Sequence, residues 1–276
     1  MAQNLGWRSI FFAGAAISVI GLLMVRGTPE SRAEARAGYK FDLGGVVTFM
    51  IAMVALQIFA TQGASFGWVS WPSLTLLALA VLFGVIFFRI ESGNANAFVN
   101  FGLFRNMTYT GATISNFLLN GVAGMLIVSM TLLQIGGDMD AQQTGLLTLG
   151  YAIAIVAFIR VGEKLLQRFG PRKPMIWGSL IVGASILLLM PTNLMLGTYN
   201  ILAIVAYTLF GLGLAFYATP STDAALSNLP SDQAGSGSGI YKMASSLGAS
   251  FGVAISAAVF TALSEDNSSV AWIEGV

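Results

Sequence analysis

The sequence predicts an all-α integral membrane protein with eight transmembrane helices, and three observations carry that expectation. Of its 276 residues, 56% are hydrophobic and only 9% are charged, whereas a soluble domain carries about 25% charged residues. The apolar residues fall in runs of bilayer-crossing length, roughly 17 to 25 residues, without the period-two alternation of barrel strands. The basic residues collect in every second loop, as the positive-inside rule requires of a multi-pass helical protein.

The runs are 9–25, 43–62, 73–88, 108–135, 144–161, 175–190, 199–219 and 240–263. The first lacks a basic head and a cleavage site, and further runs follow, so it reads as a span and not as a signal peptide. Residues 26–41 are strongly polar and predict a cytoplasmic linker, with a short amphipathic helix after Pro29–Glu30–Ser31. Asp42 stands where a helix N-cap is wanted. Trp68 and Trp71 flank an external turn, in keeping with aromatic belts at the membrane interface. Residues 91–107 form a second cytoplasmic linker, whose apolar stretch 97–104 is expected at the membrane interface.

Twelve of the 13 basic residues lie on one side: Arg26, Arg32, Arg36, Lys40, Arg89, Arg105, Arg160, Lys164, Arg168, Arg172, Lys173 and Lys242; Arg8 is the exception. That side is cytoplasmic, which puts Asp138, Asp140, Glu265, Asp266 and Glu274 outside. A net charge of +1 gives no field for nucleic acid. With neither His nor Cys, imidazole acid–base catalysis, thiol nucleophiles, thiolate or imidazole metal sites and disulfides are excluded. Asp138 and Asp140 form an isolated acidic pair without a second cluster, a poor basis for a membrane-embedded enzyme.

Polar residues inside spans are rare because each is costly there, so the exceptions mark candidate sites. Asp223 and Lys242 read either as interface charges at helix ends or as a gate or proton-linked pair. Asn116 and Asn120 are four apart and share a helix face; with Gln134 they read as cavity walls or as glue between helices. Gln57 is a weaker case of the same kind. Tyr151, Tyr207, Phe210 and Tyr217 are candidate aromatic cavity residues or packing. Ala244, Gly248, Gly252 and Ser256 form a small-residue stripe that favours close helix packing. Pro220, with Gly211 and Gly213, allows the seventh span to bend.

Several local patterns resemble one family. They are Gly6–Trp7–Arg8, Phe41–Asp42–Leu43–Gly44–Gly45, Leu103–Phe104–Arg105–Asn106 and, most specifically, the stretch 219–252. Together they resemble the fourteen-span drug:proton antiporters of the major facilitator superfamily, and within it the bacterial quinolone-resistance pumps. The family's cytoplasmic Gly-x-x-x-Asp-Arg-x-Gly-Arg-Lys loop has a degenerate counterpart at 163–173. There Arg168 and Gly170 match, Gln167 replaces the Asp, Glu163 replaces the first Gly, and Pro171 displaces Arg172 and Lys173 by one position. The resemblance implies a conformational-switch role for Arg168, Gly170, Arg172 and Lys173, and a plain positive-inside loop is the simpler reading.

The resemblance also implies a truncated major facilitator fold that aligns with spans six to thirteen of fourteen. Residues 1–25 would be the last helix of a missing N-terminal bundle, and 26–41 a cytoplasmic linker. Residues 42–106 would be a two-helix insert and linker, 107–263 a C-terminal bundle lacking its last helix, and 264–276 an external tail. The expected function is a piece of a multidrug efflux transporter working by drug:proton antiport, inactive alone; the alternative is an inert or scaffolding membrane protein. The expected partners of the full-length parent are small hydrophobic drugs, such as quinolones and hydrophobic cations, together with protons and the lipid bilayer. No cofactor, metal, nucleic acid or obligate protein partner is expected, and the location is the bacterial cell membrane.

Overall fold

The computed structural model describes residues 8–27, 42–94, 97, 99, 101–191, 196–227, 229–230 and 233–265. Regular structure among these residues is helical. The helices are α1 (Arg8–Val25), α2 (Leu43–Phe66), α3 (Trp71–Ser92), a 3-10 turn (Phe101–Arg105), α4 (Met107–Gly136), α5 (Ala141–Leu147), α6 (Leu149–Phe169), α7 (Arg172–Leu188), α8 (Leu196–Leu226) and α9 (Ala234–Glu265). The chain divides into two compact units, Met1–Gly38 and Tyr39–Val276. The first contributes α1, whose apolar side chains are largely exposed, Phe12 by 75% and Met24 by 78%. All packing described below lies in the second unit.

Each run in the sequence corresponds to a helix, with one refinement of the count. Among the described residues six segments are long and apolar enough to cross a membrane: Leu43–Gly63, Trp71–Ser92, Met107–Ile135, Ala141–Phe169, Gly197–Leu226 and Ala234–Phe260. Helix α1 carries a shorter apolar stretch, Gly14–Val25. The 17 residues of α7 rise about 25 Å at ~1.5 Å per residue, less than the ~30 Å hydrocarbon core. The expected eight spans are therefore six of full length and two shorter helices.

Local chemistry explains several ends. The Asp42 side chain caps α2, its Oδ1 accepting the Gly45 N–H at 2.8 Å, while Oδ2 accepts from Asn94 Nδ2 at 2.8 Å. The fifth run is divided in two. Asp140 and Gln143 form a reciprocal capping box that starts α5. At Thr148 the backbone N–H and the hydroxyl both turn to the Gly145 carbonyl, at 3.2 and 2.8 Å, which separates α5 from α6. Gly170 closes α6 with φ +71°, a conformation a Cβ would strain.

Two details go beyond the expected bounds. Part of the stretch 97–104 packs against the bundle. Val99 and Leu103, each 3% exposed, are packed with Phe87, Tyr109 and Tyr241 in one of the two cores. The Glu91 carboxylate, itself 3% exposed, accepts the Val99 N–H at 3.2 Å and so draws the segment inward. Helix α8 also continues past Thr219 to Leu226, and α9 begins at Ala234, six residues before the expected start at Ile240. The expected amphipathic helix in 26–41 falls almost entirely outside the described residues, as does the tail beyond Glu265.

In lipid the hydrophobic effect does not hold helices together, so close backbone approach and hydrogen bonds must. The small-residue stripe on α9 fits that requirement. A Cβ on Gly252 would run into the Gly121 carbonyl, and one on Gly248 into the Phe117 carbonyl, both on α4. On α8, Gly213 meets Val182 and the Gly178 carbonyl of α7, and Gly211 meets the Tyr151 backbone of α6. These glycines serve close approach, and α8 runs through Pro220 as one helix. Large apolar side chains point outward instead, among them Val156 at 77% and Leu180 at 66% exposure.

The alternation of α4 to α9 puts the α6–α7 turn at the end of the bundle shared by the N-termini of α4 and α9. The basic residues assign that end to the cytoplasm. A single cysteine replacing Arg172 is therefore expected to resist an impermeant thiol reagent in intact cells, and one replacing Asp138 to react. The chain has no other cysteine, so the reverse pattern would invert the orientation.

Candidate functional site

Three features of the second unit bear on function. The first is a polar lattice joining α4, α8 and α9. Asn116 Nδ2 donates to the Tyr241 carbonyl at 3.1 Å. Asn120 Nδ2 donates to the carbonyl and the Oδ1 of Asn116, at 2.8 and 2.9 Å. The Tyr217 hydroxyl donates to Ser115 Oγ at 2.8 Å, and the hydroxyls of Ser221 and Tyr241 share a bond of 2.7 Å. Inter-helix bonds of this kind are worth roughly 0.6 kcal/mol each on average in membrane proteins. Pro220 precedes Ser221 and, lacking an N–H, removes one helical bond there.

The lattice brings together two of the expected polar residues, Asn116 and Asn120, and leaves out the third. Gln134 lies exposed near the far end of α4. The aromatic candidates are mostly interior: Tyr207 and Phe210 are 0% exposed and Tyr217 is 2% exposed. Tyr207 shares a hydrogen bond with Ser129 at 2.9 Å, and Phe210 faces the half-buried Tyr151 with ring centroids 6.1 Å apart. Tyr207, Phe210 and Tyr217 belong to one buried cluster, with Tyr151 packed against it.

The second feature is a cleft at the cytoplasmic end of α8. Its volume is about 590 Å³, and it is lined by Leu166 of α6 and by Ala218, Thr219, Thr222, Asp223 and Leu226 of α8. Asp223 is half-buried there and Lys242 is exposed on α9. No ion pair joins the two, and Asp223 shares its cleft with Leu166 of α6. Both the backbone N–H and the hydroxyl of Ser227 bond the Asp223 carbonyl, at 2.9 and 2.7 Å.

The third feature is the basic turn between α6 and α7. The Arg168 guanidinium and the Lys173 ammonium lie 5.1 and 5.5 Å from the centroid of the Phe169 ring, and Trp177 meets that ring edge-on at 5.5 Å. Arg160 and Glu163 pair at 3.5 Å on the surface, a contact worth little in water. Arg172 opens α7 and is exposed.

Two contacts escaped the sequence. Gln57 Nε2 donates to Ser250 Oγ and ties α2 to α9. Glu91 faces Asp42 over Gly45, whose missing side chain leaves room for both carboxyls. Gln57 had been visible as a polar residue in a span; its partner had not. Among the described residues no group of acidic side chains could hold a metal ion, and Asp140 is accounted for by its capping box.

A bundle of long apolar helices, held by glycine contacts and polar lattices, defines a multi-pass helical membrane protein. Residues 1–253 match the family description Major Facilitator Superfamily. The chain is 46% identical over 266 residues to the quinolone resistance protein NorB of Staphylococcus aureus strain MRSA252, an alignment covering 96% of this chain and 57% of that protein. The NorB proteins of strains JH9 and Newman match with the same identity and coverage. The chain belongs to the major facilitator superfamily and is a multi-pass bacterial membrane protein. It spans 57% of the length of the curated relatives it matches.

Proposed function

We propose that this chain supplies the two-helix insert and most of the second bundle of an exporter that moves hydrophobic drugs, quinolones among them, in exchange for protons. The observation that carries the reading is the 46% identity to NorB across 96% of the chain. The cleft holding Asp223 supports it, because a carboxyl reachable from one side of the membrane is the kind of group that proton exchange needs. Alternating access places substrate between two bundles that rock against each other. On this reading, α4 and α9 move with α8 through the lattice of Asn116, Tyr217, Ser221 and Tyr241, so that protonation of Asp223 is felt across the bundle. Arg168, Gly170, Arg172 and Lys173 form the cytoplasmic turn whose charge contacts differ between the two positions.

The reading requires the first bundle as partner. Expression of this chain alone in a pump-deficient bacterium is expected to leave quinolone susceptibility unchanged. A chimera joining it to the unaligned parts of the Staphylococcus aureus relative is expected to raise the inhibitory concentration, with the rise abolished by an uncoupler. Uncoupler-sensitive resistance from the chain alone would count against the need for two bundles. A chimera present in the membrane that exports nothing would count against the transport role.

A further inference from the structure

A second cleft, of about 650 Å³, lies between α4 and α7 over the cytoplasmic end of α8, apart from the cleft that holds Asp223. Its floor is Ala112, Ser115 and Ala224, and its walls include Gly111, Ile176 and Leu180. Ile176 and Leu180 are 48% and 66% exposed, so the cleft opens sideways from the bundle. Its cytoplasmic rim is set by Arg172, and no acidic residue lines it. Arg172 and Lys173 occupy the first turn of α7, which holds no acidic residue and no side-chain cap. Cations there add to the positive end of the helix dipole instead of offsetting it. The result is an apolar slot ending in concentrated positive charge at the end of the bundle that the basic residues assign to the cytoplasm.

We propose that this slot seats an acyl chain of an anionic phospholipid of the cytoplasmic leaflet, with the lipid phosphate against Arg172. The charge decides the occupant. A hydrophobic cation would be repelled at the rim, and a zwitterionic lipid brings its own positive group to the same place. An anionic headgroup offsets both Arg172 and the uncapped N–H groups of α7. The slot's floor touches the polar lattice, since Ser115 Oγ accepts from Tyr217. A seated lipid therefore bears directly on the contact between α4 and α8. The inference rests on the orientation set by the basic residues and is independent of the role of Asp223.

Native mass spectrometry of the purified chain in mild detergent, with phosphatidylglycerol or phosphatidylcholine added, tests the proposal. One phosphatidylglycerol is expected to be retained about tenfold more tightly than phosphatidylcholine, the ratio of one good charge-assisted contact. Arg172→Gln should remove that preference and Arg172→Lys should keep most of it. Lys164→Gln, a cation of α6 outside the slot, should leave it intact. Gly111→Leu fills the slot from a position where a Cβ meets open space, and should lower retention of both lipids. Equal retention of the two lipids would overturn the proposal, as would equal effects of Arg172→Gln and Lys164→Gln. Displacement by glycerol phosphate alone would reduce the site to a headgroup contact and also overturn it. Retention unchanged by Gly111→Leu would mean that something other than an acyl chain, such as a further helix, belongs in the slot.

Discussion

Gly252→Val is expected to cost about 3 kcal/mol, roughly a hundredfold in the folding equilibrium, at the upper end of the overpacking range. The cost is high because of what the new side chain meets. A Cβ at Gly252 runs into the carbonyl oxygen and backbone of Gly121, and backbone cannot turn aside as a rotamer can. Helices α4 and α9 would have to separate, and the Gly248 and Gly124 contacts along the same seam would open with them. Gly239 of the same helix meets nothing within 4 Å. Gly239→Ala is therefore expected to stabilise, by about 0.5–1 kcal/mol of helix propensity. Denaturation of the purified variants in mixed detergent reads both signs. A native midpoint for the valine variant would show that α4 and α9 are not in backbone contact.

Asp223→Asn, tested in the chimera with the Staphylococcus aureus relative, is expected to abolish proton-driven accumulation while leaving the protein in the membrane. One charge moved through ~100 mV supplies ~2.3 kcal/mol, enough to sustain a drug concentration ratio of about fiftyfold. Asparagine keeps the shape of the side chain and cannot take up a proton, so the ratio should fall toward unity. Asp223→Glu should keep part of the activity. Lys242→Gln should have a small effect, because Lys242 is exposed and makes no ion pair with Asp223. Drug uptake into inverted vesicles, followed as the imposed pH gradient is varied, measures the ratio. An Asn variant with native uptake and native pH dependence would reduce Asp223 to a charge at a helix end.

The places of the helices were legible because the bilayer imposes a length and an apolar composition that few other folds share. Asp42 as a cap and the α9 stripe as a packing face were legible for a similar reason, since each depends on neighbours within a turn or two. The faces of the spans were harder to read. In lipid the outside of a helix is as apolar as its inside, so nothing in the pattern around Tyr207, Phe210 and Tyr217 shows that they turn inward. The Asn116–Asn120 spacing revealed a shared face, but their anchor is a backbone carbonyl of Tyr241, more than a hundred residues away. The burial of Val99 and Leu103 is hidden in the sequence for a related reason. Its apolar residues suit an interface as well as a core, and the tie that decides between them is a buried carboxylate on α3.

Helix α8 touches α6 and α7 through bare main chain, with Gly211 against Tyr151, Gly213 against Gly178 and the Ala215 carbonyl against Gly162. Such seams leave little room for inherited variation. The helix cannot easily be retuned from within, because almost any enlargement at these glycines would pry the bundle apart. Tolerated diversity should gather instead where side chains have space, as at Ala218 and Thr222 along the Asp223 cleft. Mutational scanning of the chimera under quinolone selection would then show an intolerant spine along α8 with a permissive strip beside it.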